Sequence, residues 1–473
     1  MSIPHLAVIG GGVTGLAAAL KLRQLSPAAQ VTLLEASPRL GGVLGTERRQ
    51  GFMIERSADM FTIRDPGAIA LCRRIGFEEE LIEPTSEHQK AYLIHRGRLV
   101  ETPGGFSLMS PNRIWPVLAT PLLSWRGKLR LGCELFVRRR RETGDESLAS
   151  FARRRLGKEV YERLVQPLIG GIYTADPEKL SMAATMDSFL EMERLHGSLI
   201  RGAFERTGEQ KRAAKAASGA RYQIFRAPRE GMQAFVDALA AQLPPDSIRL
   251  QSPVERIERT DNQWRLTING QPATFDGVIC CSPAGPTASM LADFDSDLAT
   301  LLRSIPHAST AIAVLGYRRD QLTRLVEGFG FVAPQIERRK ILAGSFSSVK
   351  FPGRAPEDTV LIRVFVGGAL QPELLEQTDE QLLLMVRKEL ADLVGAEGEP
   401  LLADVVRWQG VMPQYHVGHT DIVHQIETTT AAWPGLELAG NAYRGVGIPA
   451  CIRDGERAAD RLLQQLAEGS KEN

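Results

Sequence analysis

HLAVIGGGVTGLAAALKLRQLSPAAQVTLLEASPRLGG, residues 5–42, decides the fold. LAVI reads as a short buried strand. Gly10-Gly11-Gly12-Val13-Thr14-Gly15 follows at once with GxGxxG spacing, Gly10, Gly12 and Gly15 being the fingerprint glycines. The helical pattern VTGLAAALKLRQL comes next, and a second apolar strand, QVTLLEA, ends in Glu35, twenty residues after Gly15. A βαβ unit of this kind binds a dinucleotide for physical reasons. Gly10 permits the tight turn, Gly12 lets backbone approach a pyrophosphate, and Gly15 lets helix and strand pack closely. The helix N-terminus presents free N–H groups and the positive end of its dipole to the phosphates. The Glu35 carboxylate accepts hydrogen bonds from a ribose hydroxyl. A ligand-free glycine turn would need neither the complete unit nor the acid.

The chain continues SPRLGGVLGT, which places Arg39 and the pair Gly41-Gly42 shortly after Glu35. This arrangement resembles the extended FAD signature of the glutathione-reductase-like flavoproteins, above all the amine oxidase and protoporphyrinogen oxidase superfamily. No second GxGxxG serves a nicotinamide cofactor, since GFGFVAP (328–334) follows no βαβ start. One FAD and no NAD(P)H site point to an oxidase or a desaturase, not a pyridine-nucleotide reductase. A second glycine-lined turn, LAGNAYRGVGIPACIRDG (438–455), feeds a helix near the other end. Pro449 suits a first helical turn, where its missing N–H costs nothing. The N–H groups and dipole there can face the flavin pyrimidine edge and stabilise negative charge on the reduced ring. Both ends of the chain are therefore expected to serve one FAD.

At 473 residues the chain is expected to hold two or three domains. Its net charge of +1 argues against nucleic-acid binding. The five cysteines form no CxxC pair and no Cys/His cluster with zinc spacing, so no metal is expected, and their scatter suggests reduced thiols in a cytoplasmic protein. No apolar run approaches the roughly 18 residues of a transmembrane helix, and no Lys or Arg precedes the apolar start as in a signal peptide. Any membrane contact is expected to be peripheral, at the inner face of the cell membrane. Residues 126–230 carry 22 Lys/Arg against 14 Asp/Glu. The runs Arg138 to Arg141 and Arg153 to Arg155 each read first as solvated helix faces. The whole basic section, interleaved with Leu, Phe and Trp, also suits an anionic membrane surface or an acidic substrate.

The fold class expected is α/β. Residues 1–86, 217–285 and 425–473 form a discontinuous Rossmann-like, glutathione-reductase-like FAD-binding domain. Residues 87–110 and 286–424 form a mixed-sheet substrate-binding domain. Residues 111–216 form a helical, basic, membrane-facing domain.

Several stretches together resemble the protoporphyrinogen oxidase / coproporphyrinogen III oxidase family of haem biosynthesis. VQPLIGGIYTADPEKLSM (165–182) resembles its GG-[IV]-Y-x-x-D-P-x-x-L-S segment. GFGFVAP, FSSVKFPGRAP and RVFVGGA resemble its substrate-domain strands, and PQYHVGH (413–419) and GNAYRGVGIPACIRDG its C-terminal pieces. The resemblance spans essentially the whole chain. It implies FAD contacts at Gly10, Gly11, Gly12, Val13, Thr14, Gly15, Glu35, Ala36, Arg39, Gly42 and Val43. It extends them to Ser57, Ala58, Asp59, Met60, Val254, Trp408, Gly440, Val446, Gly447 and Ile448. It implies a porphyrinogen held between apolar walls over the flavin, near Gly171, with Phe329, Val332 and Phe365 at the sandwiching positions. Animal and plant members have an Arg before the hairpin strand that pairs a propionate; here that position is Ala91, beside Lys90. Arg64 is the candidate carboxylate partner, a pattern that favours a coproporphyrinogen-type pocket for four carboxylates.

No catalytic side chain is implied, because flavin N5 carries the chemistry. The implied reaction removes six electrons in three cycles from coproporphyrinogen III or protoporphyrinogen IX, between which the sequence does not choose, with dioxygen as acceptor and peroxide released. Hand-over of the product to a ferrochelatase belongs to the same resemblance, which leaves monomer and homodimer open. His416 and His419 read as structural. The alternatives at this point are a flavin amine oxidase or carotenoid-type desaturase on the same fold, and a non-catalytic flavin or porphyrin carrier.

Overall fold

The computed structural model describes residues 3–111, 113–140, 142, 144–205, 224–261, 263–324 and 327–472. The boundary expected at 216/217 lies outside the described residues.

A parallel sheet organises the first unit. Its strands run, in spatial order, Ile248–Arg249, Gln30–Leu34, His5–Ile9, Gly277–Cys280 and Leu436–Leu438. Segments far apart in sequence thus meet edge to edge. The three central strands are buried on both faces, which is why they read as unbroken apolar runs without alternation. Leu6, Val8 and Leu33 point to one side, where the helices Val13–Leu25, Met232–Ala240 and Ile448–Glu472 pack. Ala7, Ile9, Leu34 and Val278 point to the other. There they meet the antiparallel strands Val254–Thr260, Gln263–Ile268 and Gln271–Phe275. Helices Ala284–Leu291 and Ser296–Arg303 join this same apolar cluster. The stretch from 286 to Arg303, read from the sequence with the substrate-binding unit, therefore packs with the parallel sheet.

The second unit is a seven-stranded mixed sheet ordered Leu402–Pro413, His307–Arg318, Thr359–Gly367, Ala343–Phe346, Gly330–Val332, Ala91–His95, Arg98–Glu101. Only the pairing of Gly330–Val332 with Ala91–His95 is parallel. Val360, Ile362, Val364 and Val366 face the helix Asp379–Val394. Leu361 and Phe365 alternate to the opposite face with Ile312, Val314 and Val406. That face lies on Phe52 and Ile54, from the hairpin Thr46–Arg49/Phe52–Glu55 of the first unit.

A third apolar cluster gathers the helices between Ile114 and Phe204, and half-buried Val332 and Val446 pack against it from the other two units. The trio Arg153 to Arg155 departs from a solvated face. Arg155 is wholly buried, paired with Glu134 and, at 3.3 Å, with Glu193. Arg154 reaches Glu193 at 2.6 Å and Glu146 at 2.7 Å. Exposed Arg153 pairs with Glu178, so acids distant in sequence engage all three charges, which a charge run alone cannot reveal.

Candidate cofactor and substrate site

Gly10 turns the chain out of its strand with φ +104°, a conformation glycine adopts without a Cβ penalty. A Cβ on Gly15 would lie 1.9 Å from the Gly10 carbonyl oxygen, so the protein's own packing requires that glycine. Gly12 differs: a Cβ there would meet nothing within 4 Å. Its open backbone suits a group brought in from outside. Gly12 is also the N-cap of Val13–Leu25, with no side-chain cap and no acidic residue in the first turn. The leading N–H groups therefore have no intrahelical partner, the arrangement that binds a phosphate. Val13 and Thr14 are buried, so their contribution to such a ligand is backbone.

Glu35 accepts from the Gly11 N–H at 2.6 Å and the Ser37 N–H at 2.8 Å. Each oxygen keeps a lone pair for a ribose hydroxyl. The Arg39 guanidinium donates to the carbonyls of Leu40 (3.0 Å), Leu44 (2.7 Å) and Gly42 (2.6 Å), and the Gly41 N–H donates to Gly11 O at 2.8 Å. Arg39 thus works as a staple on the loop and holds exposed Ala36, Gly42 and Val43 around the glycine turn. Half-buried Val254 begins its strand nearby: the Ser252 N–H donates to Glu35 O at 2.9 Å.

The C-terminal turn is built onto the same place. The Gly440 N–H donates to the Asp454 carboxylate at 2.8 Å, and burial pushes that carboxyl above its ordinary range. The Gly445 N–H donates to the Tyr415 hydroxyl at 2.8 Å, and that hydroxyl donates to Asn441 O. Tyr415 stacks on His419 with ring centroids 4.0 Å apart, and His419 Nε2 bonds Tyr443 O at 3.0 Å. Spacing gives no signal of this buttress. Gly447 is exposed, whereas Ile448 is buried beside the first helix's cluster. The decisive contact is at Gly455, where a Cβ would lie 2.3 Å from Thr14 O. The last helix and the first touch backbone to backbone. Asp65, which caps Pro66–Arg74 through the Gly67 N–H at 3.0 Å, also pairs with Arg453 of the last helix. Arg64, exposed and next to that pair, sits near the start of the last helix, its N–H on Thr62 Oγ1 at 3.2 Å.

Within the loop 57–60, Ala58 is exposed and Met60 half-buried, but Asp59 turns inward to Lys350 (2.8 Å) and Arg363 (3.4 Å). Burial alone would raise the Asp59 carboxyl; the two cations overcome it and hold it at about 2. The Ser57 carbonyl accepts from Arg363. The loop's outward face is therefore backbone, Ala58 and Met60. Trp408 donates from Nε1 to Arg56 O at 2.8 Å. Half-buried Phe365 shares Trp408's sheet face, with the Arg363 guanidinium 5.5 Å from its ring centroid. Gly171 is exposed, and a Cβ on it would lie 3.2 Å from Val332 Cγ1, so those two come together where helices meet sheet. Phe329, only 5% exposed, sits as a core aromatic does. Nothing in the spacing of Lys350, Arg354 and Arg363 marks them in the sequence as three buried cations.

Among the described residues no group of three His, Cys, Asp or Glu could hold a metal ion, and no helix is long and apolar enough to cross a membrane. Residues 13–463 match the family model for flavin-containing amine oxidoreductases. The chain is 32% identical to the coproporphyrinogen III oxidase of Staphylococcus aureus, covering 98% of this chain and 99% of that one. It is 28% identical to protoporphyrinogen oxidase 2 of Arabidopsis thaliana, covering 99% and 95%. A solved structure from Exiguobacterium sp. 255-15, provisionally named protoporphyrinogen oxidase, superposes with a TM-score of 0.85 at 31% identity, over 99% of this chain and 100% of that one.

Proposed function

The chain belongs to the flavin-containing amine oxidoreductase family, and from that premise we propose that it is an FAD-dependent porphyrinogen oxidase of haem biosynthesis acting on coproporphyrinogen III. The observation that carries this reading is the near full-length similarity, at 32% identity, to a coproporphyrinogen III oxidase. FAD, when bound, supplies a two-electron oxidant, used three times to take the porphyrinogen to the porphyrin, with dioxygen as terminal acceptor and hydrogen peroxide as by-product.

The chain's own residues bind and orient. The uncapped N–H groups from Gly12 onward hold the pyrophosphate, and Glu35 takes the ribose. Backbone at Val446, Gly447 and Ile448, at the positive end of the last helix, meets the flavin's pyrimidine edge and favours negative charge there. Ser57 to Met60, Val254, Trp408 and Gly440 complete the cofactor contacts. Val332 beside Gly171 and Phe365 beside Trp408 form apolar walls that hold the macrocycle at near-attack distance. Arg64 takes a carboxylate of the substrate.

The helical unit is read as a docking face for an anionic lipid surface, at the cytoplasmic side of a membrane. Trp115, Trp125, Leu129 and Phe136 are 82%, 72%, 70% and 81% exposed. From Arg113 to Arg140 there are seven Lys/Arg and one acid, Glu134, which is buried against Arg155. Exposed aromatic and apolar side chains within a cationic stretch are the composition of an interfacial anchor.

Parallel initial rates on coproporphyrinogen III and protoporphyrinogen IX, followed by porphyrin fluorescence, test the substrate. Coproporphyrinogen III is expected to react faster. Equal rates would remove the pocket argument built on Arg64 and Ala91.

A further inference from the structure

Beneath the loop 57–60 lies a dense buried charge cluster. Lys350, Arg354 and Arg363 are 4%, 1% and 1% exposed, and Glu55 and Asp59 are 2% and 7% exposed. All three cations come from the second unit and both carboxylates from the first. Lys350 Nζ donates to Asp59 Oδ2 at 2.8 Å, and Arg363 pairs with Asp59 at 3.4 Å and donates to Ser57 O. Arg354 donates to Pro228 O at 2.7 Å and Arg229 O at 3.2 Å. Glu55 accepts from Thr46 Oγ1 at 2.8 Å and the Met232 N–H at 3.0 Å. Three cations face two carboxylates, so the cluster carries surplus positive charge. Stability offers no reason for it: desolvating ions costs several kcal/mol each, and apolar side chains of similar volume commonly serve a core as well or better. Charges act over longer range inside a protein than in water, and this surplus lies directly under the loop expected against the flavin.

We propose that the Lys350–Arg354–Arg363 cluster tunes the bound flavin, stabilising the negative charge the ring gains on reduction and thereby making its reduction potential more positive. The proposal rests on the FAD reading above. These are positioning residues acting through Ser57 and Asp59, not catalytic ones.

The test is a dye-equilibrated reductive titration of the holoenzyme, reading the flavin midpoint potential. Lys350→Met removes a positive charge and should shift the potential negative. Asp59→Asn removes a negative charge and should shift it positive. Lys350→Arg, which keeps the charge, should leave it near wild type. A purely structural role loosens the same loop in Lys350→Met and Asp59→Asn and moves both the same way; that result, or no shift in either, overturns the proposal. If Lys350→Met fails to fold, Asp59→Asn still decides, because an unchanged or more negative potential there is also fatal. A wild-type chain that takes up no FAD overturns the underlying cofactor reading, whereas FAD-loaded variants with unmoved potentials overturn this proposal alone.

Discussion

Replacing Gly455 by Ala puts the joint between the two ends of the chain under direct load. The new Cβ would lie 2.3 Å from Thr14 O and 3.2 Å from Thr14 C and Cγ2. Ordinary contact needs about 3.4 Å or more, so the first and last helices must part by roughly 1 Å. Overpacking of this kind costs ~1–3 kcal/mol. Ala is intrinsically better than Gly inside a helix by ~1 kcal/mol, which offsets part of that loss. The net expectation is ~0–2 kcal/mol of lost stability. The displacement falls on the two helix starts that are proposed to meet FAD, so the FAD dissociation constant should rise about tenfold, equivalent to ~1.4 kcal/mol. Gly285→Ala is the matched control, since a Cβ there meets nothing within 4 Å inside the helix Ala284–Leu291. It should gain up to ~1 kcal/mol and bind FAD as wild type does. Thermal melts of the apo-proteins with flavin fluorescence titrations read both quantities. A Gly455→Ala variant that melts no lower than Gly285→Ala and binds FAD with wild-type affinity would refute the reasoning.

Glu35→Gln should raise the FAD dissociation constant about tenfold or more in the same titration, because hydrogen bonds to a charged group contribute ~1.5–3 kcal/mol and the Gly11 and Ser37 N–H groups lose a carboxylate. His419 gives a pH signature. Burial, only partly opposed by its bond to Tyr443 O, holds it below its ordinary value of about 6.5. The unfolded chain therefore takes up a proton on acidification that the folded chain resists, so stability declines as pH falls below about 6.5. Melting temperatures taken from pH 8 to pH 5.5 should fall less steeply in His419→Gln than in wild type. Flotation with anionic phosphatidylserine vesicles should retain the wild-type protein, weakly at high salt, and lose a Trp125→Ser/Phe136→Ser variant; neutral vesicles should retain neither.

The nucleotide turn was legible because its constraints are local. Gly10, Gly12 and Gly15 differ in what each must avoid, and a strand–turn–helix pattern of known spacing exposes all of them. Glu35 was readable for the same reason, the second strand fixing its distance from the turn. The C-terminal turn was readable as a partner of the first turn at one FAD, but the contact that joins them was not: the approach of Gly455 to Thr14 depends on a sheet that interleaves three separated segments. The helices Ala284–Leu291 and Ser296–Arg303 look apolar enough for either unit, and only packing assigns them to the parallel sheet. Buried charge was least visible. Arg155 has the same sequence context as exposed Arg153, and its burial follows from Glu134 and Glu193, 21 and 38 positions away. Lys350 and Arg363 depend likewise on Asp59 across the boundary between units. The Tyr415 hydroxyl that holds Gly445 is a contact of the same long-range kind.

One anaerobic experiment reaches the claim that both ends of this polypeptide clasp an FAD that oxidises a porphyrinogen. FAD-loaded protein is mixed with coproporphyrinogen III without oxygen, and the flavin's visible absorbance is followed. The account predicts that the yellow colour bleaches, then returns when air is admitted while porphyrin fluorescence grows. Colour that persists in the presence of excess porphyrinogen would contradict it.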